Sequence, residues 1–157
     1  MTAARELEQE MARLRSEAIA SRRDVAMRLS WSLGRYSYAF YADGDGDGVR
    51  SDDIGAGRDP LLGASRDLSS RYEGIDFGLL DVAIPEVPPG SASLLPGGDP
   101  VRFGRSDIIT FTPHGTSSSG TLYVSDGHST VTAVVVYGGT GRLRLWRFDR
   151  DRWQWTR

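Results

Sequence analysis

The residues with the densest chemistry lie together in Asp43-Gly44-Asp45-Gly46-Asp47-Gly48-Val49-Arg50-Ser51-Asp52-Asp53-Ile54. Asp at loop positions 1, 3 and 5 with Gly at 6 reproduces the front half of an EF-hand-type calcium loop. There, hard oxygen ligands at alternate residues surround one Ca²⁺, and the Val49 carbonyl would take position 7. The back half departs from that pattern. Position 12, where such a loop places a bidentate acid, is Ile54, and Asp53 just before it is left to close a shortened loop. The candidate Ca²⁺ ligands are Asp43, Asp45, Asp47, Val49 and Asp53, and the same residues also suit a solvated Gly/Asp turn. From Asp43 to Asp59 six acids face only Arg50 and Arg58, a local charge of -4 that repels itself at low salt.

A second chemistry is basic. Gly141 to Arg157 holds six arginines and two aspartates, and Arg142 and Arg144 alternate with Leu143 and Leu145. Alternation puts both guanidiniums on one strand face, with Arg147, Trp146, Trp153 and Trp155 close by. Arg142, Arg144 and Arg147 are the candidate nucleic-acid contacts, because arginines grip phosphates and tryptophans stack bases. Arginines on a solvated strand paired with Asp149 or Asp151 would look the same. Catalysis has weaker material. His114 lies in a Pro-x-Gly turn and His128 in an Asp-Gly-x turn, with Ser117 to Ser119 and Asp126 nearby, but no nucleophile elbow, phosphate loop or metal-binding His pair accompanies them. No catalytic residue is assigned.

These segments need a scaffold, and 157 residues with 39% hydrophobic content make one domain with a core. Cysteine is absent, which excludes a disulfide framework, a thiolate nucleophile and a Cys-based zinc site. The net charge of -2 leaves any nucleic acid or anionic membrane to a local patch. All 19 basic residues are arginine. No stretch reaches the roughly 18 to 20 apolar residues that span a bilayer.

Leu7, Met11, Leu14 and Ala18 share one helical face, predicting an amphipathic helix over Ala3 to Arg23. The period then falls to 2: Val25, Met27, Leu29 and Trp31 lead through Ser32-Leu33-Gly34-Arg35 into Tyr36, Tyr38 and Phe40, a hairpin. Asp43 to Gly63 and Pro85 to Pro100 read as loops, with a strand between them over Gly74 to Ile84. Further strands are expected over Asp107 to Thr112, Thr121 to Ser125, Thr130 to Tyr137, Arg142 to Phe148 and Arg152 to Thr156, with connections short enough for antiparallel neighbours. The fold class is α+β, residues 1–24 forming the helix and 25–157 an antiparallel β domain, packed as one globular unit.

Four ordered segments carry a resemblance. Ile109-Thr110-Phe111-Thr112-Pro113-His114-Gly115, then Gly120-Thr121-Leu122, then Val134-Val135-Val136 and Gly141-Arg142-Leu143-Arg144 are similar to the signature of the GspH/FimT family of minor pilins and pseudopilins. Arg15-Ser16-Glu17-Ala18-Ile19 resembles the end of that family's long helix, and Asp43 to Ile54 an acidic insert of some members. The resemblance implies a pilin-like fold and a subunit near the tip of a type II secretion pseudopilus or type IV pilus, serving filament initiation and recognition. Its implied partners are other minor pilins or pseudopilins, the major filament subunit, the bacterial inner membrane through an N-terminal apolar helix, and, for FimT-like members, DNA through the closing basic motif. Against that pattern the chain is expected to be a soluble periplasmic fragment without the anchor, its helix exposing an apolar strip to neighbours.

Overall fold

In a computed structural model, which describes residues 2–157, one helix lies along two antiparallel sheets. The helix, α1 (Thr2–Ser21), buries Ala3, Ala4, Leu7, Met11, Leu14 and Ala18 on one face, as the spacing of those residues dictates. It ends at Arg22, whose backbone turns left-handed (φ 55) and releases the chain toward the sheet.

The first sheet has the order β3-β2-β1-β8, from β1 (Val25–Ser32), β2 (Arg35–Ala42), β3 (Leu61–Arg66) and β8 (Ile108–Phe111). The second runs β12-β11-β10-β9-β4, from β4 (Asp76–Phe77), β9 (Gly120–Ser125), β10 (Val131–Tyr137), β11 (Arg142–Asp149) and β12 (Gln154–Thr156), with β7 (Val101–Arg102) also paired to β9. A small pair, β5 (Ile84–Pro85) and β6 (Ser93–Leu94), and a short helix, α2 (Ser51–Ala56), complete the chain. The β1–β2 hairpin closes through Leu33 (φ 54) and Gly34 (φ 76), two positive-φ residues whose twist matches the strands.

The main core lies between α1 and both sheets, where Leu7, Met11 and Leu14 meet Val25, Met27, Ile109, Phe111, Leu122, Val134 and Leu143. The opposite face of the second sheet buries Tyr123, Ala133, Val135, Phe148 and Trp155 beneath Leu80, Ile84, Val87 and Leu94. Alternation makes this possible: β10 sends Val134 and Val136 to one cluster and Ala133 and Val135 to the other, and β11 sends Leu143 and Leu145 to the first and Trp146 and Phe148 to the second.

Two expectations are corrected. The strand expected over Gly74 to Ile84 is two separate pieces, β4 and the start of β5, in different sheets; the intervening N–H groups of Gly78 and Asp81 bond to the carbonyls of Tyr123 and Gly127 instead. The exposed face of α1 carries Thr2, Arg5, Gln9, Ala12, Arg13, Ser16, Glu17 and Ala20, and Ile19 is its one exposed large apolar residue among the described positions, so no apolar strip exists there. The apolar residues of α1 are spent on the two sheets.

Candidate functional site

The signature-like segments, distant in sequence, converge on one side chain. Arg15 Nε donates to the carbonyl of Gly115 at 3.0 Å. Gly115 (φ 81) ends a tight turn in which its N–H bonds the Thr112 carbonyl at 3.0 Å and the Thr112 and Thr116 hydroxyls meet at 2.6 Å. Gly141 (φ 64), the residue before β11, lies directly beside this turn. A Cβ on Gly141 would stand 2.3 Å from the Gly115 oxygen and 2.7 Å from Arg15 Nε, so backbone and guanidinium pass where any side chain would be. Arg15, Gly115 and Gly141 therefore form a latch that ties α1 to the turn after β8 and the turn before β11. These motif residues are accounted for by packing.

The acidic loop is folded on its own carboxylates. Asp43 Oδ1 accepts the N–H groups of Asp45 (3.1 Å) and Gly46 (2.8 Å), and its Oδ2 accepts that of Gly48 (3.0 Å). Burial pushes the Asp43 carboxyl up, but these N–H groups outweigh it and hold it below the ordinary carboxylate range. Asp59, which the spacing did not single out, accepts the N–H of Gly44 at 3.0 Å and of Arg50 at 2.9 Å and is almost wholly buried. Val49 and Ile54 pack with Ala26, Tyr41 and Ile108 on the outer face of the first sheet, which explains why an apolar residue stands at position 12. The loop is pinned by that plug.

Carboxylate oxygens of Asp43, Asp45 and Asp47 lie within 4.8 Å of one another, and so do those of Asp45, Asp53 and Asp59. The front-half ligands are thus brought together. Asp53 joins a separate trio and is engaged by Arg58 Nε at 2.6 Å, while the Val49 side chain serves the plug. A carboxylate offers about four acceptor positions, so Asp43, already accepting three N–H groups, keeps room for one more donor or ligand bond. Sharing a hydrogen bond with Asp45 pushes the Asp47 carboxyl up to about 6. Asp24, after α1, adds a carboxyl raised by burial and then by Asp43. Its closeness to the loop comes from the fold, since the Asp43 N–H bonds the Asp24 carbonyl at 2.9 Å.

At the other candidate site, β11 divides its residues by face. Leu143 and Leu145 pack toward the α1 core, while Trp146 and Phe148 belong to the opposite cluster. Arg142 and Arg144 share the latter face and, with Tyr137, Thr140 and Arg157, line a cleft of about 440 Å³. The Arg157 guanidinium sits 4.8 Å over the Trp146 ring. Arg157 was not expected here; it arrives because β12 pairs Thr156 with Arg147. Arg147 lies on the other face, in a separate cleft with Ser129, Asp149 and Arg150. Trp155 is a core residue whose Nε1 donates to the Pro85 carbonyl at 2.8 Å.

Among the described residues no histidine ring is hydrogen-bonded to a serine hydroxyl. His128 Nδ1 faces Asp81 at 3.3 Å in solvent, and Asp126 accepts the N–H groups of His128, Ser129 and Thr130. Ser117 Oγ donates to the Ser118 carbonyl, Ser118 Oγ accepts from the Thr110 N–H and Ser119 Oγ from the Gly138 N–H. Each of these hydroxyls holds a turn.

Compared with known proteins, residues 3–141 match the family model of the type II transport protein GspH. The match runs from α1 to Gly141 and so includes all three residues of the latch, while Arg142, Arg144 and Arg157 lie beyond it. No curated protein and no solved structure matches the chain.

Proposed function

The chain belongs to the family of the type II transport protein GspH, and from that premise we propose that it is a minor pilin or pseudopilin assembling near the tip of a type II secretion pseudopilus or type IV pilus. There it serves filament initiation and recognition. The family is one of structural pseudopilin-type subunits that work beside other pseudopilins in type II secretion.

The match over residues 3–141 carries the reading, and the layout of α1 accords with it. Its inward face is fully used by both sheets, while its outward face is small and charged along its whole length. A helix of this kind suits a spine that neighbours approach along its polar flank. We read the chain as non-catalytic, the hydroxyls of Ser117, Ser118 and Ser119 holding turns and the His128 ring standing in solvent beside Asp81, and as reaching the inner membrane through an apolar helix preceding α1. Among the described residues no helix is long and apolar enough to cross a membrane. In the native bacterium, deletion of the gene should lower secretion or piliation, and the full-length protein should co-isolate with filament subunits after crosslinking. Failure to co-isolate contradicts the reading.

Two finer readings rest on particular observations. DNA recognition is favoured by the grouping of Arg142, Arg144 and Arg157 around Tyr137 and Trp146. Calcium stabilisation of the acidic loop is favoured by the mutual approach of Asp43, Asp45 and Asp47.

A further inference from the structure

Beside the N-terminal half of α1 opens a cleft of about 470 Å³ whose walls carry Arg5, Arg13, Arg66 and Arg71 against only Glu6 and Glu10. The charges are unequally paired. Arg66 closes on Glu10 and Arg71 on Glu6, which also receives the Tyr72 hydroxyl; these contacts fix β3 and the segment after it against the helix. Arg5 and Arg13 make no ion pair among the described residues and stand exposed on α1. Eight residues separate them, about 12 Å along the helix. The cleft therefore holds a surplus of two positive charges, both on side chains free to reach a guest.

Its inner wall is closed to a guest. Glu10 is only 5% exposed, and the buried Tyr38 hydroxyl lies beside its carboxylate, away from solvent. Burial, the Glu10 charge and hydrogen bonding to Glu10 push the Tyr38 phenol well above its ordinary range. A guest is therefore met by Arg5 and Arg13, and a peptide with acidic side chains brings carboxylates for both.

The chain displays a surface of that chemistry at the opposite end of α1. The loop with its surplus of four negative charges begins where the Asp43 N–H meets the Asp24 carbonyl, and Asp45, Asp47 and Asp52 are exposed on it. From Glu6 to the end of α1 at Ser21 the helix axis covers about 22 Å. We propose that the arginine cleft is a docking site for an acidic loop of a neighbouring filament subunit, of the kind this chain carries between Asp43 and Asp59. The proposal rests on the filament reading above. A contact from one end of a subunit to the opposite end of the next is heterologous and can propagate along a fibre. Each contact can be weak, because assembly holds the partners at high effective concentration.

The test is an NMR titration of the chain with a synthetic peptide spanning Asp43–Asp59 at low salt. Saturable shifts are expected in Arg5 to Arg13 and Arg66 to Tyr72, with a Kd on the order of 1 mM. Affinity should fall roughly tenfold between 20 and 200 mM salt. An Arg5→Ala/Arg13→Ala double variant, altered only at exposed side chains, should lose the shifts while keeping its spectrum elsewhere. No saturable shift in the cleft, or an undiminished one in the double variant, overturns the proposal. So does a response to phosphatidylglycerol vesicles without one to the peptide, which assigns the cleft to lipid phosphate. In cells the double variant should enter filaments less than the wild type. Equal entry overturns the docking site and leaves the filament reading standing. If the wild type itself fails to enter, the filament reading falls and the peptide titration alone decides the cleft.

Discussion

Arg15 donates its Nε hydrogen to the carbonyl of Gly115, 100 residues further along the chain, and the same guanidinium occupies the space where Gly141 would carry a Cβ. One side chain thereby joins the helix to both sheets. Replacing Gly141 by Ala forces a left-handed backbone on a residue with a Cβ and drives that Cβ into two polar groups. The expected loss is about 2 kcal/mol or more, read as a lower urea midpoint. Arg15→Met keeps the apolar stem but removes the charge-assisted bond, for an expected loss of about 1.5–3 kcal/mol. Losses below roughly 0.5 kcal/mol in both variants would show that the latch does not hold the fold.

The hairpin tip has the opposite character. Leu33 is 94% exposed at φ 54, so its side chain packs on almost nothing while its backbone is strained. Leu33→Asn supplies an Asn-Gly turn, which tolerates that geometry, and should stabilise the chain by about 1 kcal/mol. For a domain of this size that is a rise of roughly 2–4 °C in Tm by calorimetry. A fall in Tm would contradict the reading that Leu33 carries backbone strain without compensating packing.

Calcium should act through the acidic loop with a defined pH dependence. Asp47 titrates near 6 in the fold, above its unfolded value of about 3.9, so the native state holds that proton more tightly. Without metal, this group therefore costs stability as pH rises from about 4 to 6. Asp43, lowered in the fold, works in the opposite sense, its contribution being present above the unfolded value and lost as pH falls through the folded one. Millimolar Ca²⁺ should raise Tm at pH 7, by about 2 kcal/mol of stability if the site is well saturated, and much less at pH 5. Asp45→Asn/Asp47→Asn should abolish the effect. An unchanged Tm at pH 7 contradicts calcium binding.

DNA binding should discriminate between the two faces of β11. Gel shifts with duplex DNA are expected to weaken steeply with salt, with a log–log slope of about -3 if Arg142, Arg144 and Arg157 each displace a counterion. Arg142→Gln/Arg144→Gln should remove the shift, and Arg147→Gln, on the other face, should leave it. Equal losses in both variants would assign the effect to diffuse charge.

Much of the scaffold was legible because its signals were periodic. The face of α1, the β1–β2 hairpin and the alternation of β10 and β11 each followed from residue spacing. Short strands paired across long distances were not. Leu61–Arg66 carries a Gly and exposed polar residues, and it becomes β3 only because β2 offers it an edge. In the sites, Asp43, Asp45 and Asp47 were readable as a local pattern, as was the pairing of Arg142 with Arg144. Asp59, Arg157 and the cleft around Arg66 and Arg71 were not, since tertiary pairing alone brings them there.

The central claim, that the polar flank of α1 faces other subunits in a filament, has a direct test because the chain contains no cysteine. Single cysteines placed at Ala12 or Ser16 on the exposed face of α1, and at Ser91 as a control beyond the second sheet, would be crosslinked in cells assembling filaments. The expected result is adducts with other pseudopilin subunits from the two helix positions and none from Ser91. Adducts from Ser91 alone, or from no position while the protein is expressed, would contradict the claim that this flank faces other subunits.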